Sequence, residues 1–240
     1  VPREKSEQTN INVLKLSGSI FFSEGFREIV DSITGVLDRM KKLRLVVICG
    51  GGSTARRYIE AGSRLGVDKA SLDEIGIQIS RLNARIFSLA LGDLAFEQIP
   101  TSIPEVAELV TLSSIRGKRV VSMGGLHPGQ STNAVAALVA EKVRATKFFN
   151  LTDVEGVYDK DPRKFRDAKL LRTVTVEQLE GILRNEAMLP GGYDLMDPVA
   201  LRLIRRSRIN TIILKCGGKE LERALSGRYD FGTRIVFKRA

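Results

Sequence analysis

The chain has 240 residues, 43% of them hydrophobic and 28% charged, a make-up that fits a globular domain with a sizeable core. No apolar run approaches the roughly 20 residues of a membrane span, and the start VPREKSEQTN is too polar for a secretory signal, so a loose arm over residues 1–10 and a cytoplasmic location are expected. The net charge of +10 suits anionic ligands, but the charges are dispersed, without a basic tail or an aromatic–basic signature, so a small phosphorylated ligand is expected and no nucleic acid.

The first strand reads INVLKL, residues 11–16, and runs into the turn KLSGS. Lys15 sits inside the apolar run, where an inward lysine is costly unless it meets an anion; the alternative is a side chain turned to solvent at the strand end. A helix near 24–42 follows, then the strand RLVVIC (44–49), which opens into CGGGSTARRY. The next helix, 53–65, places Ala55, Tyr58, Ile59, Gly62 and Leu65 on one face, with Ser53 as its cap and Gly66 as its stop. Arg56 and Arg57 lie in its first turns, against the helix dipole, which an anionic ligand would explain for at least one of them.

Helices near 70–90 and 104–114 precede the strand KRVVSM (118–123). The stretch GGLHPGQSTNAVAALVAE (124–141) comes next and holds His127, the only histidine. It joins a Gly/Pro turn to a helix over 131–144 that Ser131 or Thr132 would cap. The strand KFFNL (147–151) leads into LTDVEGVYDKDPRKF, a hairpin-like loop in which Tyr158 either stacks on a base or pins the loop. Helices near 175–185 and 197–207 follow, the second with Asp197 as N-cap and Pro198 at its first position. Within it Arg202, Arg205, Arg206 and Arg208 fall outside an inner stripe of Ala200, Leu203, Ile204 and Ser207, the pattern of a solvated face. Strands NTIILK (210–215) and TRIVF (233–237) close the chain. Cys49 and Cys216 each end an apolar run without metal-binding spacing; they read as reduced thiols, with a disulfide between them left open.

This alternation predicts an α/β fold, a three-layer αβα sandwich with a mostly parallel central sheet, in one domain of two lobes divided near residue 145. Ligands in such folds bind at the carboxyl ends of strands, where the glycine turns cluster. Glycine lets backbone N–H groups approach a phosphate, and a helix start adds unpaired N–H groups. Neither G-x-x-x-x-G-K-[ST] nor G-x-G-x-x-G is present, so the turns belong to neither a P-loop nor a dinucleotide fingerprint.

Together, KLSGS, GGGSTARRYI, LDEIGIQISRLNA, GGLHPGQSTNAVAALVAE, TDVEGVYDKDP and MDPVAL resemble the amino acid kinase superfamily, and within it the archaeal-type uridylate kinases, from about residue 11 onward. The resemblance implies a homohexameric UMP kinase that passes the ATP γ-phosphoryl group directly to UMP, without a covalent intermediate. Magnesium would be carried mainly by the nucleotide phosphates, with no dedicated protein ligands. It makes Lys15 and Arg56 the catalytic cations. Lys15, Leu16, Ser17, Gly18, Ser19, Gly52, Arg56, Thr152, Asp153, Tyr158 and Asp161 match the ATP contacts. Gly51, Asp73 (toward the ribose), Leu126, His127, Pro128, Gly129, Gln130, Ser131 and Thr132 match those of UMP. Residues of about 11–145 would form the phosphate-acceptor lobe and those of about 146–240 the ATP-nucleoside lobe.

Two positions depart from the family's common residues: Asn133, where aspartate is frequent, and Asp153, where asparagine is. Rival readings are an isopentenyl phosphate kinase, which places a histidine after the triple glycine where this chain reads STARRY, an acyl-acceptor kinase, and a non-catalytic nucleotide sensor. A UMP kinase needs no general base, because a phosphate monoester with a second pKa near ~6 is already largely dianionic at neutral pH. His127 is accordingly a binding or shaping residue.

Overall fold

The computed structural model describes residues 10–187 and 195–237; of the expected N-terminal arm, residues 1–9 lie outside the described residues. The elements in chain order are β1 (Asn10–Leu16), α1 (Gly25–Arg39), β2 (Leu43–Cys49), α2 (Gly52–Arg64), α3 (Lys69–Leu91), α4 (Ile103–Arg116), β3 (Val120–Met123), α5 (Thr132–Lys142), β4 (Lys147–Thr152), β5 (Val157–Tyr158), β6 (Leu170–Leu171), β7 (Thr173–Thr175), α6 (Val176–Ala187), α7 (Pro198–Ser207), β8 (Thr211–Lys215), α8 (Gly218–Leu225) and β9 (Thr233–Val236).

Seven strands form one sheet in the order β3-β2-β1-β4-β8-β9-β7. It is parallel apart from the β8–β9 pair, while β5 and β6 make a separate antiparallel pair. β1 lies between β2 and β4, with Lys15 opposite both Ile48 and Asn150. The chain winds outward from β1 to β3 and then returns to the other side of β1, so the β1/β4 boundary is the switch point where α/β sheets open a crevice.

Successive strand residues point to opposite faces of a sheet, and each face has its own core. Val13, Ile48 and Phe148 pack with Val106 of α4, Val135 of α5 and Ile204 of α7. Leu14, Leu16 and Phe149 pack with Ile33 of α1, Phe87 of α3 and Leu221 of α8. Two helical layers around one sheet give the expected sandwich. The nearly uncharged run of α5 also finds its reason: Ala134, Val135, Ala136, Ala137, Val139 and Ala140 are all buried, as in a helix enclosed on most sides.

Several local expectations change. Asn10 belongs to β1 rather than to an arm. Ser53 does not cap α2, which starts at Gly52 with no side-chain cap. On α2 only Ala55 is buried, and Tyr58 and Leu65 are 58% and 83% exposed, because this helix packs on α3 and not on the sheet. Gly66 follows the helix end with φ +78°, as a helix stop does. On α7 the buried stripe is Ala200, Leu201 and Ile204. Its arginines line the surface, Arg205 3.6 Å from Glu180 and Arg206 2.6 Å from Glu141. Both cysteines are free thiols. Helix α8 and the short strands β5, β6 and β7 have no counterpart in the sequence reading.

Asp197 caps α7, accepting from the amides of Val199 (2.9 Å) and Ala200 (3.0 Å), and its other oxygen accepts from the Ser131 hydroxyl. Ser131 in turn accepts from the Ala134 amide at 3.0 Å, which caps α5. One carboxylate therefore fixes two helix starts at the crevice. Asp197→Ala is expected to lower the unfolding free energy by about 1–2 kcal/mol. Urea denaturation measures this, and an unchanged midpoint would show that the linked caps carry no stability.

Candidate active site

Two glycine turns meet backbone to backbone. The Gly50 amide donates to the Leu16 carbonyl at 3.0 Å. A Cβ on Gly18 would lie 2.2 Å from the Gly52 nitrogen and 2.4 Å from the Gly50 oxygen, and one on Gly52 would lie 2.3 Å from the Gly18 carbonyl carbon. Gly52 also has φ +65°. No side chain fits at either position, which is why KLSGS and CGGGS carry glycine there. The Thr132 hydroxyl lies against Gly50 from the third turn. All three turns leave the carboxyl ends of parallel strands, so they converge at one end of the sheet.

The third turn is shaped by its own sequence and by α3. The Gln130 amide donates to the His127 carbonyl at 3.2 Å, with Pro128 and then Gly129 (φ +75°) between them. Proline followed by a left-handed glycine is the pattern of a type II turn. Asp73, on the first turns of α3, accepts from the Gly129 amide at 2.8 Å. One face further along, Ser80 accepts from the Gly125 amide (2.7 Å) and Arg81 Nε donates to the Gly125 carbonyl (3.2 Å). Asn83 donates to the Gly50 carbonyl at 2.8 Å. α3 thus holds both the triple-glycine turn and the third turn. Ser80 and Asn83 are only 2% and 3% exposed, and sequence reasoning assigned them nothing. Their signal was two polar residues on the same stripe as Ile77, Ala84 and Phe87.

Between these parts lies a cavity of about 180 Å³ bordered by Gly51, Gly52, Ala55, Ile59, Asp73, Gly76, Ile77, Ser80, Gly125, His127, Gln130 and Thr132. Gly51, Gly52, Asp73, His127, Gln130 and Thr132 of the expected site residues are therefore brought together. Gln130 has its Oε1 buried and, among the described residues, without a hydrogen-bond partner, an acceptor that a bound donor would satisfy. His127, Pro128 and Gly129 are exposed, and the Leu126 side chain is in the core. Leu16 is likewise buried. Ser17 and Ser19 share a hydroxyl contact of 2.9 Å beside Gly18. Arg56 projects from the first turn of α2 into solvent.

By strand alternation Lys15 lies on the α5/α7 face of β1, beside Asn150. Its ammonium is near Cys216, whose thiol burial pushes up to about 11 against the pull of that charge. Asn150 and Asn133 both donate to the Leu195 carbonyl, at 2.9 and 3.3 Å, and each keeps a buried Oδ1 without a partner among the described residues. An aspartate at position 133 could not make that donation.

The residues of the fourth stretch lie beyond β4. Thr152 is buried, its hydroxyl donating to the Val154 carbonyl at 2.9 Å. Tyr158 is half-buried on the core edge. Asp153 is 3.6 Å from Arg163. Asp161 is 1% exposed and accepts from the amide (3.0 Å) and Nε (3.1 Å) of Arg163. Burial alone would raise its pKa, but the Arg163 bonds outweigh that and hold the carboxyl below its usual range. Its side chain thus braces the loop.

A family model described as the amino acid kinase family matches residues 10–215. The chain is 41% identical over 206 residues to the uridylate kinase of Sulfurisphaera tokodaii, covering 84% of this chain and 88% of that one. It is 38% identical over 226 residues to the uridylate kinase of Methanothermobacter thermautotrophicus, covering 93% and 98%. The crystal structure of uridylate kinase from Archaeoglobus fulgidus superposes with a TM-score of 0.82 at 34% identity, over 94% of this chain and 99% of that one.

Proposed function

The chain belongs to the amino acid kinase family, and on that premise we propose that it is a UMP kinase, transferring the γ-phosphoryl group of ATP to UMP to give UDP and ADP in pyrimidine nucleotide biosynthesis. One observation carries the reading: two glycine turns, packed too closely for any side chain, face an acceptor turn that Asp73 anchors across a small cavity. The first part suits phosphates and the second a nucleoside monophosphate.

The nucleophile is the UMP phosphate itself, with a second pKa near ~6. The task left to the protein is to align two repelling anions in line and to stabilise charge on the transferred group. The amides of Gly18, Gly51 and Gly52 provide fixed dipoles without side-chain reorganisation. Lys15 and Arg56 supply positive charge. Asp73 takes the ribose hydroxyls, Gln130 and Thr132 line the acceptor pocket, and His127 shapes the turn as a donor rather than as a base. Thr152, Asp153, Tyr158 and the Asp161 loop form the nucleoside side of the ATP site, dividing the domain into acceptor and ATP lobes near residue 145.

Magnesium bound with the polyphosphate would supply further neutralisation of the phosphate charge. Among the described residues no three His, Cys, Asp or Glu side chains group as a metal cage, and Asp161 and Asp197 are already engaged. On this reading the ion would be carried mainly by the nucleotide phosphates.

The enzyme acts in the cytoplasm as a homo-oligomer, in keeping with the family a hexamer. Support comes from α3, where Leu82 (55%), Ile86 (44%) and Leu89 (55% exposed) form one stripe, with the exposed Tyr58 and Leu65 on α2. No helix among the described residues is long and apolar enough to cross a membrane.

Three measurements test this reading. In a coupled ADP-release assay, UMP is expected to support turnover well above CMP, AMP and isopentenyl phosphate; preference for isopentenyl phosphate, or no release with any acceptor, would overturn it. Lys15→Ala is expected to lower kcat by about 10²–10³ with little change in KM for UMP, whereas near-wild-type turnover would remove Lys15 from the catalytic groups. In sedimentation velocity the wild type is expected as a hexamer and Leu82→Glu/Ile86→Glu as smaller species; a monomeric wild type would refute the assembly.

A further inference from the structure

Gly76 sits near the middle of α3, a 23-residue helix, where glycine is the least favourable residue after proline. Nothing in the fold demands it. Its backbone is not left-handed, and a Cβ built there would meet only the Cδ1 of Ile59, at 3.4 Å, an ordinary van der Waals contact. Alanine would therefore fit the protein and improve the helix. This sets Gly76 apart from Gly18 and Gly52, whose substitution would collide with backbone.

The space that the missing side chain leaves belongs to the acceptor cavity. Asp73, Gly76, Ile77 and Ser80 border that cavity at i, i+3, i+4 and i+7 of α3, and so share one helix face. Asp73 stands one turn before Gly76, Ile59 faces it from α2, and Ser80 holds the far end of the acceptor turn. Whatever Asp73 grips must lie over the bare Cα of Gly76.

We propose that Gly76 sets the acceptor's size. Its missing side chain is the floor on which the sugar of a nucleoside monophosphate rests when Asp73 holds the hydroxyls. The inference rests on the UMP kinase reading and adds a specificity-determining residue to it. A methyl group there lifts the sugar from Asp73 while leaving the phosphate turns and the ATP side unchanged. The chain accepts a weaker helix in return for ligand room, so stability and acceptor affinity change in opposite directions on substitution.

The test compares Gly76→Ala with Gly181→Ala. Gly181 is also helical, in α6, with nothing within 4 Å of an added Cβ. Both variants are expected to raise the thermal midpoint by about 2–4 °C. Only Gly76→Ala is expected to raise KM for UMP, by at least tenfold, with kcat and KM for ATP within twofold of wild type; calorimetric titration with UMP alone should show the same tenfold loss. Unchanged KM and UMP affinity in a folded Gly76→Ala would overturn the proposal, as would a lowered midpoint, which would make the glycine a packing requirement. Failure of the wild type to phosphorylate UMP would refute the underlying reading instead, and the calorimetric comparison separates the two.

Discussion

The contact of Gly18 with Gly50–Gly52 is the constraint from which the site follows. Two main chains can approach this closely only where both lack a Cβ, and the Gly50–Leu16 hydrogen bond fixes the separation at the ends of neighbouring strands. The start of α2 and the turn after β1 are thereby held side by side. Their spacing is set by backbone, not by side-chain rotamers. For a reaction that depends on holding two anions in line, such rigidity lowers the barrier before any charge is counted. It also explains why the flanking residues can be ordinary: Ser17, Ser19 and Ser53 are small, the first half-buried and the others exposed, since the glycines have already set the geometry.

Helix α3 is the second brace. Asp73, Ser80, Arg81 and Asn83 reach four points on two turns, the Gly129 amide, the Gly125 amide and carbonyl, and the Gly50 carbonyl. The bonds to Gly125 and Gly50 satisfy backbone groups that burial would otherwise leave unpaired, at a cost of about 1–3 kcal/mol apiece. The polar residues on the inner stripe of α3 are thus the condition for burying loops beside a sheet end. The outer stripe, Leu82, Ile86 and Leu89, belongs to the same rigid element. In the proposed oligomer a second copy packed on that stripe would stiffen the helix that holds the third turn, and assembly and acceptor geometry would share one support.

Much of this was legible in the sequence because the strands are buried on both faces and read as continuous apolar runs. The glycine turns stood out because they end those runs. What escaped detection has physical causes. β5, β6 and β7 are two or three residues long, too short for alternation to register. α8 follows the strand 211–215 after only two residues, and its Leu221, Ala224 and Leu225 make too brief a stripe. The period of α2 was legible but what covers it was not, and only Ala55 of the five residues is buried: periodicity shows which residues share a face, not what covers that face. Tyr58 and Leu65 therefore turned out exposed. Ser53 looked like a cap, yet the left-handed Gly52 lets the helix begin one residue earlier. Asp161 shows the same limit from the other side: the motif placed it near a nucleotide, but only the fold shows its carboxylate committed to Arg163.

The stretch 124–140, without an acid until Glu141, has two causes that act together. The α5 portion is buried against sheet and helices, where an ionised side chain without a partner would cost several kcal/mol. In the turn portion, on the proposed function, a carboxylate of the stretch itself would stand against an anionic acceptor; the one that reaches the turn, Asp73 of α3, is bound to the Gly129 amide. The negative charge that does help here, at the starts of α5 and α7, is supplied from outside the stretch by Asp197, where it faces helix amides and the Ser131 hydroxyl. A helix N-terminus favours such a charge, which the chain here supplies from a remote residue. On the proposed function selectivity would then fall to geometry: the depth left by Gly76, the reach of Asp73 and the Gln130 acceptor, without a partner among the described residues, would decide which phosphate monoester is held close enough to the glycine turns to react.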